Sequence, residues 1–331
     1  MTEPLTAAVI GLGKAGSRFD EEPGRQAPWS HTGAYLYLAD RFRIIGAADP
    51  DSGNAERYRA RCPDVPVYPD ATAMLAAIRP DVVSICTPAN RHRADLVTAL
   101  ACPSVKAVWC EKPLATSLGD AEAMVKAARA RGVPLVVTYN RRWLPLWRRV
   151  RELIHNGTIG DLVCLRVAAP NRLYSIGSHA LDLMRYLVGD PQSITSMALP
   201  QLTETGEPAV AAMFGFPSGA YGILQVTGFR AQLVIEAEAI GRLGRISVRE
   251  DSSRLTIERF ARHPEYEGYQ RLMAAGEGRY ASLAQVSVFV EAAAELAVLA
   301  RDPKAPCSSD GESALLTQRL IEGVAITAGY G

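Results

Sequence analysis

The sequence predicts an α/β protein in which a doubly wound parallel sheet is followed by an α+β domain with an open, largely antiparallel sheet. Short apolar runs alternate with helical patterns through residues 1–138, and a glycine-rich turn follows the first of those runs. Longer strand patterns joined by hairpin turns fill much of residues 139–331. A chain of 331 residues is too long for one ordinary core, so we place a domain boundary between residues 138 and 139.

Six short runs in the first domain are predicted to be parallel strands covered by helices, because they are apolar on both faces. They are Ala7–Gly11, Arg43–Asp49, Val65–Tyr68, Asp81–Thr87, Ala107–Glu111 and Pro134–Tyr139.

The second domain is predicted to open with a helix over Pro145–Asn156 and to continue as a sheet. Its strands are predicted at Leu162–Ala168, Ser193–Leu199, Ala209–Phe216, Ala220–Phe229, Leu233–Ile240, Arg245–Glu250 and Arg254–Phe260. Two helices, Tyr280–Arg301 and Asp310–Ala328, are predicted to close the chain, with Ser309 and Glu312 forming a capping box for the second.

The charge balance favours a small-molecule partner. Lys and Arg number 36 against 35 Asp and Glu, so no overall field attracts nucleic acid or an anionic membrane. The basic, aromatic run 141–149 is the one segment that resembles a nucleic-acid patch. We expect neither nucleic acid nor membrane as a partner.

The cysteines and the chain start predict a cytoplasmic protein. The six cysteines show no C-x-x-C pair and no metal-ligand spacing with the five histidines, so we expect reduced, mostly buried thiols and no metal site. The first residues lack a basic, apolar leader, and the alanine-rich stretch Phe289–Ala300 carries two glutamates, as in a core helix.

A glycine fingerprint predicts a Rossmann-type dinucleotide site. Gly11-Leu12-Gly13-Lys14-Ala15-Gly16 directly follows the first strand. In this pattern the first glycine permits a tight turn, the second lets the backbone approach a pyrophosphate, and the third allows close helix packing. The helix that follows supplies free N–H groups for the phosphates.

The acidic residue expected after the second strand is Asp49. Its carboxylate would accept hydrogen bonds from ribose hydroxyls and repel a 2′-phosphate, which favours NAD. NADP stays open, because Arg18, Arg57 and Arg59 offer a phosphate site nearby. Asp49 lies 33 residues after Gly16, farther than usual, so we interpret Phe19–Ser30 as an insertion between the loop and the helix.

A lysine and a histidine are the candidates for chemistry. Lys112 precedes Pro113, which favours an extended backbone at the strand end and permits a cis peptide. There its amine would hydrogen-bond the oxygen at a reacting carbon; the alternative is a solvated surface lysine.

His179 follows Ser178, which is predicted to be the N-cap of a helix. In the first turn the helix dipole lowers the histidine pKa and suits general acid–base chemistry; the alternative is a structural histidine. Asp182 either orients His179 or caps a solvated edge.

With these residues in view, the chain resembles the Gfo/Idh/MocA family (glucose–fructose oxidoreductase, inositol dehydrogenase, rhizopine catabolism) over nearly its whole length. The motifs that carry the resemblance are the glycine fingerprint, Asp49-Pro50-Asp51, Thr87-Pro88-Ala89-Asn90-Arg91-His92, Cys110-Glu111-Lys112-Pro113-Leu114-Ala115, Asn140-Arg141-Arg142-Trp143 and Gly177-Ser178-His179-Ala180-Leu181-Asp182.

The resemblance implies an NAD(P)-dependent oxidoreductase that moves a hydride to or from a secondary carbon of a sugar, sugar acid, nucleotide-sugar or cyclitol. It implies Lys112 and His179 as catalytic residues and a homodimer or homotetramer. The implied cofactor residues are Gly11–Gly16, Asp49, Thr87, Pro88, Asn90, His92, Glu111 and Lys112. The polar candidates for substrate binding, besides Lys112 and His179, are Asn140, Arg141, Asn171, Arg172 and Ser175.

The chain departs from the family at one position. Members with the dehydrogenase set commonly carry Asp four residues before the histidine, where this chain has Ser175. Because a serine does not hold a negative charge near neutral pH, His179 acts alone or with Tyr174. Two other functions stay open: redox-assisted glycoside cleavage, and a cofactor-binding regulator similar to the family's galactose-responsive repressor.

Overall fold

The structure is a computed structural model that describes residues 3–24, 28–199, 209–229, 231–281 and 285–330. The chain divides into two compact units, residues 1–140 with 284–318 and residues 141–283 with 319–331. The first unit therefore reaches two residues beyond the predicted boundary and also takes in a C-terminal segment, which the sequence assigned to the second domain.

The first unit is built on a six-stranded parallel sheet, as predicted. Its strands are β1 (Leu5–Ile10), β2 (Phe42–Ala48), β3 (Val67–Tyr68), β4 (Val82–Ile85), β5 (Ala107–Cys110) and β6 (Leu135–Val137), in the order β3-β2-β1-β4-β5-β6. The crossover helices are α1 (His31–Tyr37), α2 (Ser52–Arg61), α3 (Ala71–Ala77), α4 (Ala89–Ala101) and α5 (Leu118–Arg131). The strand order reverses at β1, which makes the carboxyl ends of β1 and β4 a ligand-binding position.

Four of these helices begin at capping side chains, which explains where the chain turns into them. Ser30, Asp51, Asp70 and Ser117 each accept a hydrogen bond from a backbone N–H three residues later. The strands between them are buried on both faces: in β4 and β5 each residue is buried.

The hydrogen bonds on either side of the predicted insertion Phe19–Ser30, of which residues 25–27 lie outside the described residues, support it. His31 N–H donates to Ala15 O and Thr32 N–H to Gly16 O, both at 3.0 Å. An uninterrupted helix would make these bonds over four residues, whereas here they span sixteen. The excess of about twelve residues equals the length of Phe19–Ser30, so the helical turn that starts at Gly13 resumes at His31.

The second unit holds a mixed eight-stranded sheet in the order β14-β13-β12-β11-β7-β10-β9-β8. Its strands are β7 (Leu162–Ala168), β8 (Ser193–Ala198), β9 (Val210–Gly215), β10 (Tyr221–Val226), β11 (Glu236–Gly241), β12 (Gly244–Arg249), β13 (Arg254–Arg262) and β14 (Gln270–Arg279). Among the described strands of this sheet, only β7 and β10 pair in parallel. Helices α6 (Pro145–His155) and α7 (Ser178–Val188) belong to this unit.

All seven predicted strands of this sheet are present, but the sequence missed β14. No element was predicted over residues 270–279, and the helix predicted from Tyr280 begins too early, because α8 (Val288–Leu299) starts eight residues later. Residues 282–284 of that prediction lie outside the described residues. Tyr280 N–H donates to Ser253 O, so it continues the extended edge of the sheet.

The last two helices show why the first unit includes a C-terminal segment. Phe289 of α8 contacts the rings of Trp29, His31 and Trp109 at centroid distances of 6.0, 5.6 and 5.8 Å.

The final helix, α9 (Gly311–Thr327), is capped by the Asp310 carboxylate, which accepts from Ser313 N–H at 2.7 Å. The predicted capping box with Ser309 at the N-cap is therefore wrong by one residue.

All six cysteines are free thiols, and four of them are buried, as expected. Within the described ranges, no helix is long and apolar enough to cross a membrane.

Candidate functional site

A cleft of about 880 Å³ lies in the first unit at the carboxyl ends of β1, β2 and β4. Eight of the predicted cofactor residues line it: Gly11, Gly13, Lys14, Ala15, Asp49, Thr87, Pro88 and Asn90. The other predicted cofactor residues, Leu12, Gly16, His92, Glu111 and Lys112, are not among its lining residues in the described part of the chain.

The glycine loop is shaped to admit a group at Gly13. Gly11 has a φ of +87°, and a Cβ there would lie 2.8 Å from backbone atoms of Cys86 and Thr87. A Cβ at Gly16 would lie 1.9 Å from Gly11 O, so the loop closes tightly on itself. A Cβ at Gly13, in contrast, would meet nothing within 4 Å, which leaves that backbone open to the cleft. This geometry fits a dinucleotide pyrophosphate.

Asp49 joins the glycine loop to the start of α2. Its Oδ2 accepts from Leu12 N–H at 2.6 Å and from the Asn54 amide at 3.3 Å, and its Oδ1 accepts from Asp51 N–H at 2.8 Å. Arg18 in turn donates to the Asn54 carbonyl oxygen at 3.3 Å. The acidic residue predicted for the ribose thus sits at the cleft wall and also holds the loop.

Lys14 is a residue of the glycine fingerprint that contacts two residues of the insertion. Its amine pairs with Glu22 at 3.1 Å and lies 5.7 Å from the centre of the Phe19 ring. The side chain is 66% exposed, so it remains accessible from the cleft.

His92 is buried and holds two loops together. One ring nitrogen lies 2.8 Å from Thr87 O and the other 3.1 Å from Leu114 O. The Thr87 hydroxyl donates to Asp95 at 2.7 Å. The ring therefore joins the start of α4 to the segment after Lys112.

Glu111 and Lys112 follow β5 directly, and the Lys112–Pro113 peptide is cis. One Glu111 oxygen lies 3.2 Å from His31 Nε2 and the other accepts from the Lys112 backbone N–H at 3.3 Å. Burial alone would raise the pKa of Glu111, but the His31 hydrogen bond and the Lys112 charge bring it below its ordinary value. Glu111 is therefore an ionised carboxylate beside Lys112.

In the second unit, His179 is the second residue of α7 and is buried. A π-helical turn over Leu173–Gly177 precedes α7, and Ser178 itself has helical angles. Its hydroxyl donates to Ser175 O at 2.6 Å, so the predicted N-cap at Ser178 is wrong. Because the helical backbone extends back to Leu173, His179 is not in a first turn, and the dipole argument for its pKa does not hold.

Asp182 is buried rather than placed at a solvated edge. It forms a two-fold ion pair with Arg142, with Nε–Oδ2 and Nη2–Oδ1 distances of 2.8 Å each. The neighbouring Arg141 is also buried. Burial lowers the pKa of Arg141 to about 10, although the charges of Asp251 and Asp182 act to raise it. The negative charge of Asp182 thus lies close to the positive charges of two buried arginines, Arg141 and Arg142.

The remaining substrate candidates divide into structural and accessible residues. Asn171 is buried; its amide donates to Gln232 O at 2.7 Å and its carbonyl oxygen accepts from Arg172 N–H at 2.8 Å. Tyr174 and Ser175 lie on the π-helical turn, and Tyr174 is 38% exposed. Asn140 opens a short 3₁₀ segment at the end of the first unit.

Comparison with known proteins identifies the family. Residues 5–139 match the profile of the GFO/IDH/MocA oxidoreductase family, NAD-binding Rossmann fold, and residues 147–247 match a GFO/IDH/MocA C-terminal domain. The chain belongs to the Gfo/Idh/MocA oxidoreductases. The predicted resemblance is thereby confirmed, as are the fold class and the NAD-binding character of the first domain.

Two curated Gfo/Idh/MocA relatives and one solved structure illustrate the range of similarity. A D-apiose dehydrogenase from Paraburkholderia graminis is 37% identical over 46% of this chain and 44% of its own length. A myo-inositol 2-dehydrogenase from Thermotoga maritima is 26% identical over 94% of this chain and 93% of its own. The chain thus spans less than half of the first relative and nearly all of the second.

The structure of an Agrobacterium radiobacter oxidoreductase, determined with NAD⁺, L-tartaric acid and magnesium, is 21% identical with a TM-score of 0.78. The match covers 99% of this chain and 96% of that one, which confirms the fold.

Proposed function

We propose that the protein is an NAD-dependent dehydrogenase or ketoreductase that acts on a secondary carbon of a sugar or cyclitol. The observation that carries the proposal is the cleft at β1, β2 and β4, where the loop backbone opens at Gly13 and Asp49 stands at the wall. The names of the apiose and inositol dehydrogenases support the substrate class.

The residues divide the chemistry between them. Bound NAD supplies the hydride acceptor or, when reduced, the hydride donor. In the oxidation direction Lys112 donates a hydrogen bond to the hydroxyl oxygen and stabilises its developing negative charge, while His179 accepts the hydroxyl proton. In reduction the same two side chains polarise the carbonyl and return the proton. Gly11–Gly16 and Asp49 bind the dinucleotide.

The experiment is a panel of polyols, aldoses, sugar acids and keto-sugars, followed by the absorbance of the reduced nicotinamide with NAD and NADP in parallel. Lys112→Ala should lower kcat by about 10³-fold while NADH binding is retained, because the amine acts on the developing charge. His179→Ala should lower kcat and flatten its pH profile. Exposed Lys304→Ala is the matched control. Wild-type turnover by Lys112→Ala would overturn the assigned role.

A second candidate, a cofactor-binding regulator, is favoured by one observation. Ser175 stands where the family commonly has Asp, and its carbonyl oxygen accepts from Ser178 on the π-helical turn. A protein that binds NADH but oxidises or reduces no member of the panel would support the regulator. Product analysis separates the dehydrogenase from redox-assisted glycoside cleavage, because only the latter releases an aglycone.

A further inference from the structure

Four side chains of the first unit form a hydrogen-bonded chain that ends at the strand end carrying Lys112. Tyr35 Oη lies 2.7 Å from Ser84 Oγ, and Ser84 Oγ lies 2.9 Å from His31 Nδ1. His31 Nε2 lies 3.2 Å from Glu111 Oε1, and the other Glu111 oxygen accepts from Lys112 N–H at 3.3 Å. This series of hydrogen bonds runs from Tyr35 on α1 to Ser84 on β4, returns to His31 at the start of α1, and ends at Glu111 after β5.

The chemistry of the end group fixes the direction of these hydrogen bonds. An ionised carboxylate only accepts, so His31 donates its Nε2–H to Glu111. In the neutral ring Nδ1 then accepts from the Ser84 hydroxyl, and the Ser84 oxygen accepts from the Tyr35 hydroxyl. Every member has one consistent role, which selects a single tautomer of His31.

The imidazole is held in place by aromatic rings. Its centroid lies 3.6 Å from that of Trp109, with 34° between the planes, and the Phe289 ring meets it edge-on at 5.6 Å. The His31 side chain is fully buried, whereas that of Glu111 is 15% exposed. The ring therefore presents Nε2 to Glu111 in one orientation.

The charges around the pair are few and identifiable. Burial lowers the pKa of His31, opposed by its hydrogen bond and charge interaction with Glu111. Facing Glu111 are His31, the Lys112 charge and the Thr138 hydroxyl.

Three neighbouring titratable side chains are neutral. Burial raises the pKa of Tyr35, Cys86 and Cys110, so none of them carries a charge near neutral pH. The ionised Glu111 and the Lys112 amine are thus adjacent opposite charges at this strand end.

We propose that His31 is a positioning residue: its imidazole keeps the Glu111 carboxylate ionised and fixed, and that carboxylate in turn holds Lys112 as an ammonium ion at the strand end. His31 touches neither substrate nor cofactor in this role and acts through Glu111. The proposal rests on the proposed function, in which Lys112 binds the reacting oxygen.

The test measures the protonation of Lys112 directly, without a substrate. The full-length protein is acylated briefly with acetic anhydride at a series of pH values, and Lys112 modification is quantified by peptide mass spectrometry, because only the neutral amine reacts. His31→Phe keeps a ring against Trp109 but donates nothing to Glu111. We expect its Lys112 midpoint to fall by about one pH unit, since the Glu111 carboxylate loses the donor that fixes it beside Lys112 and its charge acts less strongly on the amine.

Two further variants separate the hydrogen bond from mere packing. His31→Gln retains an N–H near the position of Nε2 and should keep the parent midpoint within about 0.3 pH unit. Tyr35→Phe breaks the far end of the chain and should also leave it unchanged. An unshifted midpoint in His31→Phe, or an equal shift in His31→Gln, would overturn the proposal.

The wild-type protein offers a test that needs no folded variant. Nitrogen-15 NMR of the imidazoles at about pH 7.5 should show one histidine as the neutral Nε2–H tautomer. Its assignment to His31 by the loss of that signal in His31→Gln completes the test. A His31 that is protonated at Nδ1 alone contradicts the proposal. If Lys112→Ala keeps full turnover, the proposed function fails, yet the labelling midpoints still report on His31.

Discussion

At the residue scale, Asp49 has two roles: it offers a carboxylate to the nucleotide ribose, and it holds the glycine loop. It lies at the cleft wall, where a ribose hydroxyl would find an acceptor, and it holds Leu12 N–H at 2.6 Å. A substitution therefore changes both the recognition of the nucleotide and the geometry of the glycine loop.

We expect Asp49→Ala to weaken NADH binding by about tenfold or more, because a charge-assisted hydrogen bond contributes roughly 1.5–3 kcal/mol. The variant should also lose preference for NADH over NADPH, since the carboxylate that repels a 2′-phosphate is gone. Fluorescence titration with both dinucleotides measures the two affinities. Asp51→Asn, which keeps the cap of α2, is the control. An unchanged ratio of affinities in Asp49→Ala would contradict the assignment.

The sequence predicted the residues of the glycine loop and Asp49 because these act through neighbours a few positions away or through the backbone. It did not single out His31, whose partners Ser84 and Glu111 lie on two different strands. The error at Ser178 and the wrong solvated-edge alternative for Asp182 have the same origin. Ser178 continues a π-helical turn, and Asp182 pairs with Arg142, forty residues earlier in the chain. Neither feature can be read from the sequence around the residue.

At the element scale, the insertion is held by Asp20. Its carboxylate accepts from Trp29 N–H, from the Ser30 hydroxyl and from Arg61 at 2.6 Å, and Arg61 also donates to Ser17 O at 2.7 Å. The carboxylate thus joins the two ends of the insertion to the end of α2.

Asp20→Ala should lower the free energy of unfolding by about 2–4 kcal/mol, because it leaves a buried N–H and a partly buried guanidinium without their acceptor. Glu21→Ala removes a neighbouring carboxylate whose pair with Arg57 is long, at 3.8 Å, and exposed. This control should change stability by less than about 0.5 kcal/mol. Urea unfolding compares the two, and equal effects would show that Asp20 does not hold the segment.

Strand β14 shows the limit of pattern analysis for a sheet. Its sequence contains Gly276 and Gly278 and lacks alternation, and most of its residues are exposed. It exists because β13 offers a long partner, with pairing from Arg254–Arg279 to Arg262–Gln270. Strands that bury one face, such as β10, were predicted from their own sequence; an exposed edge strand depends on its neighbour.

At the scale of the whole molecule, the pair of the buried His31 and the partly buried Glu111 makes stability depend on pH. The folded-state pKa of His31 is below its ordinary 6.5, so folding favours the neutral ring. The resulting stability is complete above about pH 6.5 and is lost as the pH falls below it. The pKa of Glu111 is also lowered, from 4.5, so its contribution is lost only in more acidic solution.

We therefore expect the free energy of unfolding to be smaller at about pH 5.5 than at about pH 7.5, by up to roughly 1.4 kcal/mol per pH unit for one such group. His31→Gln, which does not titrate, should lose that part of the dependence. Urea unfolding of both proteins at the two pH values measures it. The same pH dependence in parent and variant would contradict an uncharged, buried His31.

The homodimer or homotetramer implied by the family stays a prediction.

The resumed helix at His31 also governs how this chain must be compared with others. Since Ala15 and Gly16 accept from His31 and Thr32 as if Phe19–Ser30 were absent, a correct alignment opens its gap between Arg18 and His31. Any other placement would separate His31, and with it the contact to Glu111, from the glycine fingerprint whose carbonyl oxygens it meets.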